Sequence, residues 1–220
     1  MDSLALSLSS IALKTSAVHT IAELYEQVVD MHSTSELLRT TGWSRGYLQR
    51  LLREGHIPVK AEEFGDRAAG EEGRNRAFSW HTVVCANVIA WCTKLGIPVK
   101  DAADAAMSFA YVGDPFGGWG DGPHTAVRNP SQLYSKGTTL LLFQRRVDGG
   151  YAHCLTNKPL TVQARELSWC FQSPADGRLD PDSIIVLWLD EPMERLAKSM
   201  GLPLSALYAA GRHESWGAND

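Results

Sequence analysis

The sequence has few cysteines and lacks any long apolar run. Its four cysteines are too few and too widely spaced for a disulfide scaffold, which indicates a reducing compartment. No apolar run approaches the roughly 18 residues that a membrane span needs. The first residues are apolar enough to suggest a signal peptide, but Asp2 stands where a basic residue is usual and serines interrupt the apolar stretch. We therefore expect a cytoplasmic protein that contacts no membrane.

The sequence also lacks a large net charge and any compositional bias toward collagen, coiled coil or disorder. Its 220 residues carry a formal charge of −4, with 44% apolar and 21% charged residues, which are ordinary values for a folded protein. This mean conceals local contrast. Residues 33–60 contain five basic and two acidic residues, whereas residues 61–72 contain five acidic residues and one basic residue. A locally basic surface is therefore expected in the first half of the chain.

A glycine-rich segment divides the chain nearly in half. Residues 113–123 contain five glycines and two prolines, a composition that predicts a linker without helix or strand. The patterns before it are helical, and those after it are largely strand-like. We predict an α+β fold in four parts: a helical segment over 1–32, a mainly α domain over 33–112, the linker over 113–123, and a small α+β domain with antiparallel strands over 124–220.

Helix and strand signals are frequent in the first half. Residues 17–31 have helical spacing, and Ser33 or Thr34 begins a short helix that ends before Gly42. The remaining predictions are a helix over 45–54 capped by Ser44, extended segments at 57–59 and 76–78, a long helix from Ser79 to about Lys94, and a helix over 99–111.

The helix predicted over 45–54 has two contrasting faces. Leu48, Leu51 and Leu52 lie on one side, and Gly46, Gln49, Arg50 and Arg53 lie on the other. Arginine can bind guanine edges or phosphates, and glutamine can bind adenine. Two short helices joined by a glycine turn suggest a helix-turn-helix. The strand, loop and strand that follow predict a wing, whose phosphate contacts would be Lys60, Arg74 and Arg76.

These segments resemble the winged-helix DNA-binding domain of MerR-type regulators. The resemblance lies in Gly42-Trp43-Ser44, in LQRLLREGHI at 48–57, in GRNRAFS at 73–79 and in LGIPV at 95–99. It covers residues 33–112 and implies a bacterial-type transcription regulator that binds double-stranded DNA. The DNA-binding residues that follow from the face and the resemblance together are Ser44, Arg45, Tyr47, Gln49, Arg50, Arg53, Lys60, Arg74 and Arg76.

The long dimerisation helix of that family has no counterpart here, because the glycine-rich segment begins where it would start. A coiled-coil dimer and the usual promoter-untwisting mechanism are therefore not expected. One winged helix makes few base contacts, so specific regulation usually needs two. We expect a homodimer held through residues 124–220, a part that is also open to a small-molecule or protein effector.

Strand signals dominate the second half. Asp148-Gly149-Gly150 separates two strand-like runs and predicts a hairpin. The predicted elements are strands over 138–147, 151–157 and 160–172, a strand over 183–189 buried on both faces or in the core, a helix from Asp190 to about Met200, and a short helix over 204–210.

No catalytic residue, metal site or cofactor is predicted, and the cysteines are interpreted as core thiols. Five aromatic residues of the second half either line a ligand pocket or fill a core: Trp119, Tyr134, Tyr151, Trp169 and Trp188. Two alternatives to a non-enzymatic DNA-binding regulator remain. One is a protein–protein adaptor that uses the winged helix as a scaffold, and the other is a ligand-binding or enzymatic C-terminal domain.

Overall fold

The computed structural model describes residues 31–60, 65–67, 76–118, 126–146, 149–157 and 179–208. Within them helices and antiparallel strands are mixed, which confirms the predicted α+β class. Four sequence predictions fall wholly or largely outside these residues: the helix over 17–31, the Arg74 side of the wing, residues 119–123 of the linker, and the strand over 160–172.

The helices of the first half form where the cap signals predicted them. They are α1 (Thr34–Thr41), α2 (Arg45–Arg53), α3 (Trp80–Lys94) and α4 (Val99–Tyr111). Ser33, rather than Thr34, caps α1 in a capping box: the Glu36 N–H donates to Ser33 Oγ at 3.2 Å, and the Ser33 N–H donates to Glu36 Oε2 at 2.7 Å. The Ser33 hydroxyl also donates to Glu36 Oε2 at 2.8 Å, and the two bonds that this carboxylate accepts from Ser33 hold the pKa of Glu36 below its usual value.

The extended segments of the first half pair differently from a simple wing. Strand β2 (Ala77–Phe78) pairs antiparallel with β1 (His32–Ser33), immediately before α1. Residues 57–59 form no strand, because Pro58 has no N–H to contribute to a ladder. Arg67 instead forms an isolated antiparallel bridge with Ala77.

Helix α3 is the centre of the N-terminal core. Most of its side chains are buried, as expected for a helix that is apolar on every side. Helix α4 packs on it with a face of small residues and one aromatic, namely Ala102, Ala103, Ala105, Ala106, Phe109 and Ala110. No helix in the described part of the chain is long and apolar enough to cross a membrane.

The prediction of a linker without helix or strand is wrong for residues 114–118, which form a strand. Strand β3 (Asp114–Gly118) pairs antiparallel with β4 (Ala126–Arg128). Gly113 allows this pair to approach the end of α4, because a Cβ there would lie 3.0 Å from the Arg128 carbonyl oxygen. Glycine therefore serves close backbone packing here rather than flexibility, and the described residues all belong to one compact unit that begins at Met31.

The second half of the chain contains a three-stranded antiparallel sheet. Its order is β6 (Tyr151–Thr156), β5 (Leu140–Arg146), β7 (Leu179–Trp188), and the β5–β6 hairpin is confirmed. The central strand is β5, so its apolar residues are almost fully buried. Residues 183–189 were predicted as a strand buried on both faces or in the core. In β7, Ile184 and Val186 are half-buried against Leu140 and Leu142, whereas Trp188 is 51% exposed, so burial on both faces is wrong.

Two further elements connect the sheet to the rest of the chain. Helix α5 (Asp190–Ser199) begins where it was predicted, and the short helix predicted over 204–210 is present as a four-residue 3₁₀ helix (Leu204–Leu207). Residues 209 and 210 lie outside the described residues. At the end of α5, the Ser199 carbonyl accepts a hydrogen bond of 2.8 Å from Nη2 of Arg39 in α1. The first and second halves are therefore in direct contact.

Candidate nucleic-acid interface

Three residues join α1 to α2 in a tight turn. Gly42 ends α1 with a φ of 74°, and its N–H donates to the Leu38 carbonyl at 2.9 Å. This left-handed conformation is the reason that glycine suits the position. Ser44 then caps α2 by accepting a hydrogen bond of 3.2 Å from the Tyr47 N–H. The turn thus sets the angle at which α2 leaves the core, and the Ser44 side chain is engaged in this cap.

The two faces of α2 are arranged as the sequence predicted. Leu48 and Leu51 are buried beneath the helix, which fixes its rotation about its own axis. The opposite side exposes Arg45, Gly46, Gln49, Arg50 and Arg53 to solvent. A Cβ at Gly46 would meet nothing within 4 Å, so packing within the protein does not explain the glycine. The result is a solvent-facing helix surface with three arginines and one amide.

The arginines of α2 differ in how firmly they are held. The Arg50 guanidinium lies 4.9 Å from the centre of the Tyr47 ring, and its Nε lies 3.8 Å from Glu54 Oε2. Tyr47 in turn packs edge-on against Trp43, with 5.4 Å between the ring centres. Among the described residues, neither Arg45 nor Arg53 has an ion-pair partner. The Arg50 side chain is therefore already oriented before any ligand binds, whereas the side chains of Arg45 and Arg53 remain available to an anionic ligand.

An open cleft of about 460 Å³ lies beside the start of α2. Its walls come from the turn and from the last part of α3: Thr41, Gly42, Trp43, Ser44, Tyr47, Ala90, Thr93 and Lys94. The exposed Lys94 adds a positive charge to the wall of this cleft. The surface around the turn therefore combines aromatic rings with cations.

The residues predicted for the wing are less exposed than those of α2. Lys60 is half-buried, and its Nζ lies 5.0 Å from the centre of the Tyr111 ring. Arg76 is also half-buried, next to the Arg67–Ala77 bridge, and Arg74 lies outside the described residues. The structure thus groups Ser44, Tyr47 and the α2 side chains on one surface, while it places Lys60 against α4.

Sequence reasoning missed the buried carboxylate of Asp66. Asp66 is one of the five acidic residues counted over 61–72, yet it is only 1% exposed. Its Oδ1 accepts from the Ser79 N–H at 2.6 Å, and its Oδ2 accepts from the Lys60 N–H at 2.9 Å and from the Thr82 hydroxyl at 2.7 Å. No periodicity or motif distinguishes it from Glu62 or Glu63, because only the fold brings these donors together.

Arg128 was also missed, and it too is buried. Its guanidinium donates to the carbonyl oxygens of Phe109 at 2.8 Å and Val112 at 2.5 Å, at the C-terminal end of α4. A cation at that end is favoured by the helix dipole. Nearby, the Tyr134 hydroxyl donates to Asp114 Oδ2 at 3.0 Å, and burial raises the pKa of Tyr134. Arg128 is thus accounted for as a cap for α4.

The His81–Ser131 pair lies in the core, but its geometry does not suit a nucleophile. His81 Nδ1 lies 3.0 Å from the Ala110 carbonyl oxygen, which only accepts, so this nitrogen carries the proton. The Ser131 hydroxyl, 2.9 Å from the same nitrogen, donates to the same carbonyl and is 1% exposed. A substrate could not reach it. Burial also lowers the pKa of His81.

The cysteines and the remaining aromatic residues fit a core rather than a site. Cys85 and Cys92 are free and buried, and burial raises the pKa of the Cys92 thiol to about 12, so it is not a reactive thiolate. Tyr134 is buried, Tyr151 is half-buried and Trp188 is largely exposed, so these three do not surround one pocket. Trp119 and Trp169 lie outside the described residues.

No protein-family model matches this chain, and no curated protein is similar to it at a significant level. The surface of α2 is therefore the feature on which a function can be argued.

Proposed function

We propose that the protein is a DNA-binding transcription regulator that places α2 in the major groove. The observation that carries this proposal is the division of α2 into a buried leucine face and an exposed face of Gln49, Arg50 and Arg53. A major groove is wide enough for one helix, and these side chains match its donor and acceptor pattern. Gly46 supports the proposal, since its open surface would let a DNA backbone approach closely.

The electrostatic arrangement supports contact with an anionic partner. Arg45 and Arg53 make no ion pair among the described residues, so no ion pair with those residues has to break before they bind phosphate. Arg50 is held over Tyr47, which lowers the entropy lost when it binds. Because the overall charge is −4, electrostatic attraction to DNA would be confined to this locally basic surface.

Assembly as a homodimer is part of the same proposal. A single module of this size buries only about 600–1,000 Å² on DNA, which seldom suffices for specific binding. We propose that residues 124–220 supply the dimer contact, since the long dimerisation helix of MerR-type regulators has no counterpart in this sequence. Sedimentation of the full chain at micromolar concentration should then give twice the mass of 24.1 kDa, and a monomer would contradict it.

The test compares Arg53→Ala with Arg195→Ala. Both remove one exposed arginine from a helix, but Arg195 lies on α5 and pairs with Glu191. With a duplex selected by the wild type from a random pool, Arg53→Ala should weaken binding by about 1–3 kcal/mol, and Arg195→Ala should leave it unchanged. Fluorescence anisotropy gives both dissociation constants. Equal loss in both variants, or no salt-dependent binding by the wild type, would reject the proposal and favour an adaptor.

A further inference from the structure

A single buried carboxylate joins the two ends of the segment between α2 and α3. Asp66 accepts hydrogen bonds from the backbone N–H of Lys60, which precedes residues 61–78, and from that of Ser79, which follows them. Both backbone groups are bound by the same side chain, so the two ends are held at a fixed separation. The Thr82 hydroxyl adds a bond from the first turn of α3, and this ties the junction to the core.

Packing alone does not explain why a carboxylate occupies position 66. Burying a charged group is costly unless hydrogen bonds satisfy it, and an apolar residue could fill the same volume without that cost. The Thr82 hydroxyl donates to Asp66, so it accepts from the Tyr111 hydroxyl at 2.8 Å. The Tyr111 ring in turn lies under Lys60 Nζ, at 5.0 Å. Asp66 thus sets the backbone at both ends of the segment, and the network behind it braces the Lys60 side chain.

The residue that follows Asp66 is an exposed cation. Arg67 and Ala77 exchange backbone hydrogen bonds of 2.8 and 3.2 Å, which gives Arg67 a fixed place in a short antiparallel pair. Within the described residues Arg67 has no ion-pair partner. Arg76 precedes Ala77 in the sequence, so one arginine belongs to this pair and a second lies next to it. Neither the acidic surroundings of Arg67 in sequence nor any motif indicates a binding role for it.

The chain length keeps this pair close to α2. Lys60 follows Arg53 by seven residues, so the two Cα atoms are at most about 25 Å apart. That is less than one turn of a DNA duplex, about 34–36 Å. Asp66, the neighbour of Arg67, accepts the Lys60 N–H, so the spacing is compatible with one duplex that contacts both α2 and Arg67.

From this geometry we infer that Asp66 is a positioning residue for DNA binding, and that Arg67 is the phosphate-binding residue that it positions. This inference rests on the proposed function. Asp66 touches no DNA itself; it holds the backbone on both sides of Arg67, so that the guanidinium meets a phosphate without a large loss of entropy.

The experiment measures how DNA affinity depends on salt for the full-length protein. The probe is a labelled duplex of mixed sequence, titrated between about 50 and 200 mM salt, where each phosphate contact contributes about 0.9 to the slope of log Kd against log salt. Arg67→Ala should lower this slope by about one contact. Asp66→Asn replaces one accepting oxygen by a donor, and it should lower the slope at least as much. The double variant should equal Asp66→Asn alone.

Thr82→Val is the matched control, because it removes one bond to Asp66 and leaves both backbone bonds. It should retain the wild-type slope, whereas a merely structural role for Asp66 would make Thr82→Val resemble Asp66→Asn. A wild-type slope in Arg67→Ala overturns the inference even if Asp66→Asn fails to fold. Additive slopes in the double variant overturn it as well. Absence of any salt-dependent binding by the wild type instead rejects the proposed function, and the inference with it.

Discussion

Helices α2 and α3 begin in the same way but face opposite environments. Ser44 and Ser79 each cap the first turn of a helix by accepting a backbone N–H. Beyond the cap, α3 is buried along almost its whole length, whereas α2 buries two leucines and exposes its arginines. The difference indicates where a functional surface can be sought: packing accounts for the composition of α3, whereas packing among the described residues does not account for the exposed face of α2.

The largest effect should come from the core helix. Ile89 is fully buried in α3, so Ile89→Ala removes apolar contacts and leaves a cavity. We expect the free energy of unfolding to fall by about 2–5 kcal/mol, measured by urea denaturation. Gln49→Ala on the exposed face of α2 is the control and should change it by less than about 0.5 kcal/mol. Similar losses of unfolding free energy in both variants would contradict the distinction between a buried α3 and an exposed face of α2.

The capping serines, Ser44 and Ser79, allow the same comparison of α2 and α3 with a smaller expected change in stability. Replacing either serine by alanine should cost about 0.5–2 kcal/mol of stability. Ser79 is only 6% exposed and Ser44 is exposed, so water can replace the lost acceptor at Ser44 but not at Ser79. We therefore expect Ser79→Ala to be the more destabilising of the two in urea denaturation. The reverse order would show that burial does not decide the cost of these caps.

The smallest effect concerns pH and belongs to α3. Burial lowers the pKa of His81 below its ordinary 6.5, so below pH 6.5 the unfolded chain binds a proton that the folded protein does not. Stability is then full above pH 6.5 and falls as the pH drops toward the folded-state pKa. His81→Asn keeps a donor for the Ala110 carbonyl but cannot titrate, so thermal unfolding should show a shallower decline in this window.

His153, whose pKa burial also lowers, should account for the decline that remains. Its Nε2 lies 3.0 Å from the Ser108 hydroxyl oxygen, and glutamine can supply a donor at that point. His153→Gln combined with His81→Asn should therefore flatten the profile further. An unchanged decline in the double variant would assign the pH dependence to other groups.

Much of the local structure could be predicted because its signals are local. Ser33, Ser44 and Ser79 each begin a helix, because a side-chain oxygen satisfies an N–H of the first turn whatever the rest of the chain does. The paired glycines 149 and 150 adopt φ values of 91° and 77° in the hairpin, a conformation that other residues rarely adopt. The leucine and arginine faces of α2 follow from helical geometry alone.

The wrong predictions concern segments whose structural partners are distant in the sequence. Glycines near residue 113 indicate either a flexible linker or close packing, and only the pairing of β3 with β4 distinguishes them. The apolar run of β7 indicates burial, but whether a strand is central or at an edge depends on which strands flank it. Pro58 prevented the first predicted wing strand, and β1 supplied a partner for β2 instead.

The sequence by itself determined the helices, their caps, the hairpin and the polar face of α2, because these depend on residues a few positions apart. Only the tertiary structure decided that Asp66 is a buried acceptor, that Arg128 caps α4 and that Arg67 has a fixed exposed position. A charged residue has the same side chain in a solvated loop and in a core. Its role is set by which donors, acceptors and solvent the fold places around it.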